Sequence, residues 1–142
     1  MKRLFTSCLF ILASLTGVYA DETAFYDSKA EPVAYIAEDD TIYLWSGEPV
    51  AYLYQSGSEI DIYGFNGNHL GWYVKGVIFD HDGYAVGAIK EMFSSGVGYS
   101  GYKSFKQFKP FKSFKEFRPF RPNFQMSWSD MDLTTFLNHG AD

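Results

Sequence analysis

The chain has 142 residues, with 17 acidic against 12 basic side chains, a net charge of −5 and an aromatic content of 20%. That length allows one domain, or a small domain with a tail. So many Tyr, Phe and Trp residues, with modest Leu and Ala, exclude a long helical bundle or coiled coil and favour a twisted β-structure.

Residues 1–20 read as a secretory signal peptide. Lys2 and Arg3 precede an apolar run from Leu4 to Leu15, and Val18-Tyr19-Ala20 offers a cleavage site. The run is too short to span a bilayer as a mature helix. A periplasmic or secreted destination is expected. The mature chain would start at Asp21 and leave behind Cys8, the only cysteine, so no disulfide is expected.

Charge is unevenly spread. Residues 21–102 carry 13 acids and three bases, whereas residues 103–121 carry seven bases and one acid, Glu116. An acidic body is therefore followed by a basic segment.

The body, residues 21–93, contains an internal repeat. Four twelve-residue units align without gaps: Phe25–Ile36, Ile42–Leu53, Ile62–Tyr73 and Ile78–Ile89. The sixth place is Ala30 and then Gly47, Gly67 and Gly83. The tenth is always small: Ala34, Ala51, Gly71 and Gly87. Each unit reads as a β-hairpin around a two-residue turn at places five and six, such as Ser46-Gly47. Ala30 fits that turn badly, because Ala disfavours positive φ. In this register place one pairs with ten and place two with nine. Tyr43, Trp45, Val50 and Tyr52 would share one face, and Ile42, Ala51 and Leu53 the other. A lone hairpin is marginal, so the four should close on one another. The expectation is an all-β, shallow eight-stranded barrel of pseudo-four-fold symmetry. Its smaller side chains face inward, and an outer aromatic belt needs cover.

The segments Pro32–Ile36, Asp39–Leu53, Ile62–Trp72 and Ile78–Gly87, with Phe105–Phe117 and Trp128–Leu137, resemble the four-fold beta-flower domain family of bacterial proteins. The resemblance spans Phe25 to Leu137, with Ala30 as its departure at the first turn. It implies a shallow barrel of four hairpin petals and no established reaction.

A Gly/Ser-rich linker, residues 94–104, leads into a strap over residues 105–125. Phe105, Phe108, Phe111, Phe114, Phe117 and Phe120 recur every third residue, each followed by a base: Lys106, Lys109, Lys112, Lys115, Arg118 and Arg121. Period three, with Pro110, Pro119 and Pro122, fits polyproline II, which has no internal hydrogen bonds and so needs a partner surface. The expected resting partner is the chain's own aromatic belt. Docking six Phe rings there would contribute on the order of 10 kcal/mol before ordering costs. The functional rival is an anionic membrane or envelope surface held by the six bases. Nucleic acid is not expected, because export and the acidic body oppose it.

Residues 126–142 hold a short helix and tail. Ser129 or Asp130 would cap the helix, Leu133, Phe136 and Leu137 would form its apolar face, and Gly140 would end it. The helix is expected to plug or cover one end of the barrel.

Catalytic signals are weak. Asp80-His81-Asp82-Gly83 sits on a predicted turn and lacks the terminal Glu of a calcium loop. Glu38-Asp39-Asp40 reads as a solvated connection. His69, His81 and His139 fall on separate elements without ligand spacing. No catalytic residues, metal or cofactor are expected. The chain reads as a non-enzymatic binding module of the envelope. The alternatives are a structural protein with the strap as an intramolecular clamp, and a hydrolase using barrel-loop carboxylates.

Overall fold

The computed structural model describes residues 22–99 and 101–141, so the expected signal peptide lies outside the described residues. Eight strands follow one another as antiparallel neighbours: β1 Thr23–Tyr26, β2 Pro32–Ile36, β3 Thr41–Leu44, β4 Pro49–Ser56, β5 Glu59–Gly64, β6 His69–Val74, β7 Val77–Phe79 and β8 Tyr84–Ala88. Tyr26 pairs with Ala88, which joins β1 to β8 and closes the barrel. A ninth strand, β9 (Gln125–Trp128), adds in parallel to β8, and a helix, α1 (Leu133–Asn138), follows. The sequence pattern gave no sign of β9.

The four hairpins share one geometry, and it differs from the two-residue turn expected. Place one does pair with place ten, as Phe25 with Ala34, Ile42 with Ala51, Ile62 with Gly71 and Ile78 with Gly87. Place two, however, pairs with place eight, as Tyr43 with Pro49 and Tyr63 with His69. In the second hairpin the Leu44 N–H donates to the Glu48 carbonyl and the Gly47 N–H to the Leu44 carbonyl, which leaves a three-residue loop. The residue at place nine is then an unpaired bulge. A bulge of this kind follows a turn that ends in a left-handed residue. Here that residue is Gly47 (φ 92°), Gly67 (φ 92°), Gly83 (φ 89°) or, in the first hairpin, Ala30 at φ 60°. Ala30 therefore adopts the conformation its Cβ disfavours.

The bulge also corrects the assignment of faces. Val50, expected among the outer aromatics, is wholly buried in the barrel interior with Leu70 and Val86, beside Ile42 and Ala51. Leu133, Phe136 and Leu137 of α1 enter that same core, so the helix plugs the barrel. Place ten is small to admit it. A Cβ on Gly87 would press on Leu133, and one on Gly71 would meet the Phe79 carbonyl and the Phe136 ring. The helix cap is Asp132, not Ser129 or Asp130; its Oδ1 accepts from the Thr135 N–H at 2.7 Å. Gly140 packs against Gly64, where no side chain fits.

Candidate functional site

Outside the barrel, the residues at places two and eleven form the expected aromatic belt. Tyr35 stacks with Tyr43, and Tyr52 with Tyr63. All four are buried, so something covers them. The cover is the strap, but with the opposite face to the one expected. Its six Phe rings point away from the barrel at 97–101% exposure. The bases point inward. Lys103 sits 4.2 Å from the Tyr35 ring centre, Lys106 5.7 Å from that of Tyr43, Lys112 4.2 Å from Tyr52 and Lys115 4.4 Å from Tyr54. A lysine covers an aromatic face with its aliphatic stem and its charge together, which a second ring cannot do.

The same bases reach the body's carboxylates. Lys103 and Lys106 pair with Glu22, and Lys109 with Asp39, which is therefore not simply solvated. Arg118 spans Glu59 at 2.8 Å and Asp61 at 3.2 Å, and Arg121 reaches Glu59 at 3.3 Å while lying over Phe124. Burial works to raise the Glu22 and Asp39 pKa values, but hydrogen bonds from the lysines outweigh it and hold both below the usual carboxylate range. Glu22 and Asp39 in turn raise the pKa values of Lys106 and Lys109. Lys112 and Lys115 have no carboxylate partner among the described residues.

Backbone bonds fix the strap's register. The N–H groups of residues 98, 107, 116 and 125 donate to the carbonyls of Ala30, Gly47, Gly67 and Gly83 at 2.8–2.9 Å. The donors are nine residues apart, and the acceptors are the sixth places of the four hairpins in chain order. The strap is thus pinned at every petal turn, and a second time at the second and third, where the Ser104 and Ser113 N–H groups donate to the Trp45 and Phe65 carbonyls. Here the turn glycines have a second reason to be glycine. A Cβ on Gly47, Gly67 or Gly83 would collide with the carbonyl of Phe105, Phe114 or Asn123. At the first turn the exception is met from the other side, because the strap residue beside Ala30 is itself a glycine, Gly98.

Four equivalent petals, plugged by one helix and laced by one strap, agree with the family comparison: the chain matches the 4-fold beta flower protein family over residues 23–137. It belongs to that family. No curated protein and no solved structure matches it.

The beta-flower scaffold positions two features that the sequence pattern did not reveal. Tyr99 and Tyr102 continue the Phe series at the same spacing and are 93% and 99% exposed, so the outward stripe holds eight rings. Their period-three placement was readable, but they fall in the segment taken for a linker. The second feature joins residues read as separate. His69 lies 3.0 Å from both Asp61 and His81, and the His69 N–H donates to Glu116 Oε1 of the strap at 2.6 Å. His139 lines the adjoining cleft. Asp80 Oδ1 accepts from the Asp82 and Tyr84 N–H groups and so serves its own turn. Among the described residues, no three or more His, Cys, Asp or Glu side chains are arranged so that they could hold a metal ion.

Proposed function

We propose that this beta-flower protein works by binding, as a module of the cell envelope, and that its binding face is the outward aromatic stripe of the strap, laid into a lipid interface. The observation that carries this reading is the near-total exposure of all six Phe rings. A soluble surface rarely leaves so much apolar area unpartnered without an interaction to use it. The rings stand apart, touching neither barrel nor neighbour, and Phe carries no polar tip. Separate rings suit a deformable apolar phase that fills the gaps between them better than a shaped protein groove. Each fully buried ring is worth roughly 1.5–3 kcal/mol, so insertion of even three is substantial.

Lys106, Lys109, Lys112, Lys115, Arg118 and Arg121 were expected to hold an anionic surface. Their engagement by Glu22, Asp39, Glu59, Asp61 and the tyrosine rings supports a different role for them, that of clamping the strap so that its rings face out. Co-sedimentation with vesicles tests the reading. The mature chain is expected to pellet with neutral phosphatidylcholine vesicles, with little dependence on salt. The triple variant Phe108→Ser, Phe111→Ser, Phe114→Ser should stay in solution. Binding only to anionic vesicles, abolished by salt, would return the binding role to the bases. No binding to either would leave the strap as a structural clamp.

A further inference from the structure

The Asp61–His69–His81 chain lies apart from the aromatic stripe, and its hydrogen bonds define where each proton sits. Asp61 and His69 are 1% and 2% exposed, while His81 is open to solvent. A carboxylate only accepts, so His69 Nε2, 3.0 Å from Asp61 Oδ1, carries the ring proton. His69 Nδ1 is then a lone pair, and His81 Nε2, 3.0 Å away, must donate to it. This leaves His81 Nδ1 as a lone pair without a hydrogen-bond partner among the described residues. The two imidazole planes differ by 14° with centroids 5.2 Å apart, so the rings lie edge to edge along the hydrogen bond. A metal between the two nitrogens would need about 2.0–2.1 Å to each, more than that gap allows in line. Burial holds the His69 pKa below its ordinary value, with Asp61 opposing, which favours the neutral ring that these hydrogen bonds require.

Nucleophile, base and orienting carboxylate thus stand in hydrogen-bonded order, with imidazole in the nucleophile's place. Arg118 holds the other oxygen of Asp61, at 3.2 Å. His81 lines a cleft of about 420 Å³ whose walls include Asn68, Asp80, Asp82, Glu116 and His139. We propose that His81 is a nucleophilic imidazole that accepts the acyl group of a small uncharged or cationic ester in this cleft. The carboxylates of Asp80, Asp82 and Glu116 disfavour phosphoryl and other anionic donors.

In the first step the His81 Nδ1 lone pair bonds to the ester carbonyl carbon, and the carbonyl π pair moves to oxygen. Collapse breaks the ester C–O bond and expels the alkoxide, while the Nε2 proton passes to His69 Nδ1 and Asp61 stabilises the resulting cation. The alkoxide takes a proton from water. The hydroxide so formed attacks the acyl carbon, releases the carboxylic acid, and His81 Nε2 recovers its proton from His69. Ester and water become acid and alcohol, with no change in oxidation state.

The full chain would be mixed with p-nitrophenyl acetate, and acetyl groups on His81 and His139 followed by mass spectrometry. His139 shares the cleft but not the relay, so it is the internal reference. His81 should be acetylated at least tenfold faster, and His81→Gln, an exposed position, should reduce nitrophenolate release to background. His69→Gln should bring the His81 rate down to that of His139. If that variant does not fold, the wild-type ratio of the two rates decides. Equal rates at the two histidines, or release unchanged by His81→Gln, would overturn the proposal. Comparable release from p-nitrophenyl phosphate would overturn the choice of substrate class.

Discussion

The inside and the outside of this barrel are closed in different ways. Inside, Leu133, Phe136 and Leu137 of the helix meet Ile42, Val50, Ile62, Ile78 and Val86 with no charge among them. Outside, the strap is held by lysines and arginines on tyrosine rings and carboxylates, while its six period-three Phe rings take no part and only Phe124, near its end, stacks on Phe79. Apolar burial is not weakened by ionic screening and depends little on pH, whereas paired charges at a surface are screened and titrate. The plug should therefore set whether the barrel folds, and the strap should be the part that conditions can loosen.

The largest effect is expected inside. Leu133→Ala or Leu137→Ala removes a wholly buried side chain from the plug and should cost roughly 2–5 kcal/mol in denaturant unfolding. Smaller effects should follow at the seam. Arg118→Gln leaves Asp61 with His69 as its remaining side-chain partner and should cost about 1–3 kcal/mol. Its clearer signature is faster proteolysis within the strap while the barrel still unfolds cooperatively. Gly67→Ala forces a side chain into both a left-handed turn and the strap's path, and should cost about 1–2 kcal/mol with the same strap-specific loosening.

Titration sharpens the contrast. His69 has a folded pKa lowered from 6.5, so its contribution is fully present above pH 6.5 and is lost as pH falls through the folded value. Glu22 and Asp39 are lowered from 4.5 and 3.8, and their contribution disappears on further acidification. Burial raises Tyr35, Tyr43, Tyr52 and Tyr63 from 10.0, and the carboxylates raise Lys106 and Lys109 from 10.5. These contributions are present below those values and are lost above them. Stability against pH should form a plateau between about 6.5 and 10, and protease sensitivity of the strap should rise at both ends. The smallest effect is a gain. Ala30→Gly relieves a left-handed alanine and should stabilise by up to about 1 kcal/mol.

Much of the barrel was legible because the repeat states it four times. Small residues at place ten and apolar ones at place one predict pairing and interior, and both hold. The turn was misread because Ser46-Gly47 suits a two-residue loop, whereas the bulge at Val50 makes the loop one residue longer and swings Val50 inward. The strap's orientation was not legible. Its period shows that rings and bases lie on different faces but not which face turns inward, and burial alone favours the rings. The acidic and aromatic side chains brought together on the barrel exterior decide it the other way. The Asp61–His69–His81 chain had one readable trace, a break in the repeat. His69 stands where the other units have Pro32, Pro49 and Ala85, and His81 where two have Trp45 and Phe65. Their meeting depends on the pairing of β5 with β6 and of β6 with β7, which sets the third hairpin beside the fourth.

Thermal unfolding of a chain in which Phe105, Phe108, Phe111, Phe114, Phe117 and Phe120 are all replaced by Ser is the most direct test of the strap's orientation. Rings that touch nothing contribute nothing to the fold, so the midpoint should stay within about 2 °C of the wild type, as expected for surface changes summing to less than about 0.5 kcal/mol. A fall as large as that of Leu133→Ala would mean that the rings pack against the barrel and that the strap is turned the other way.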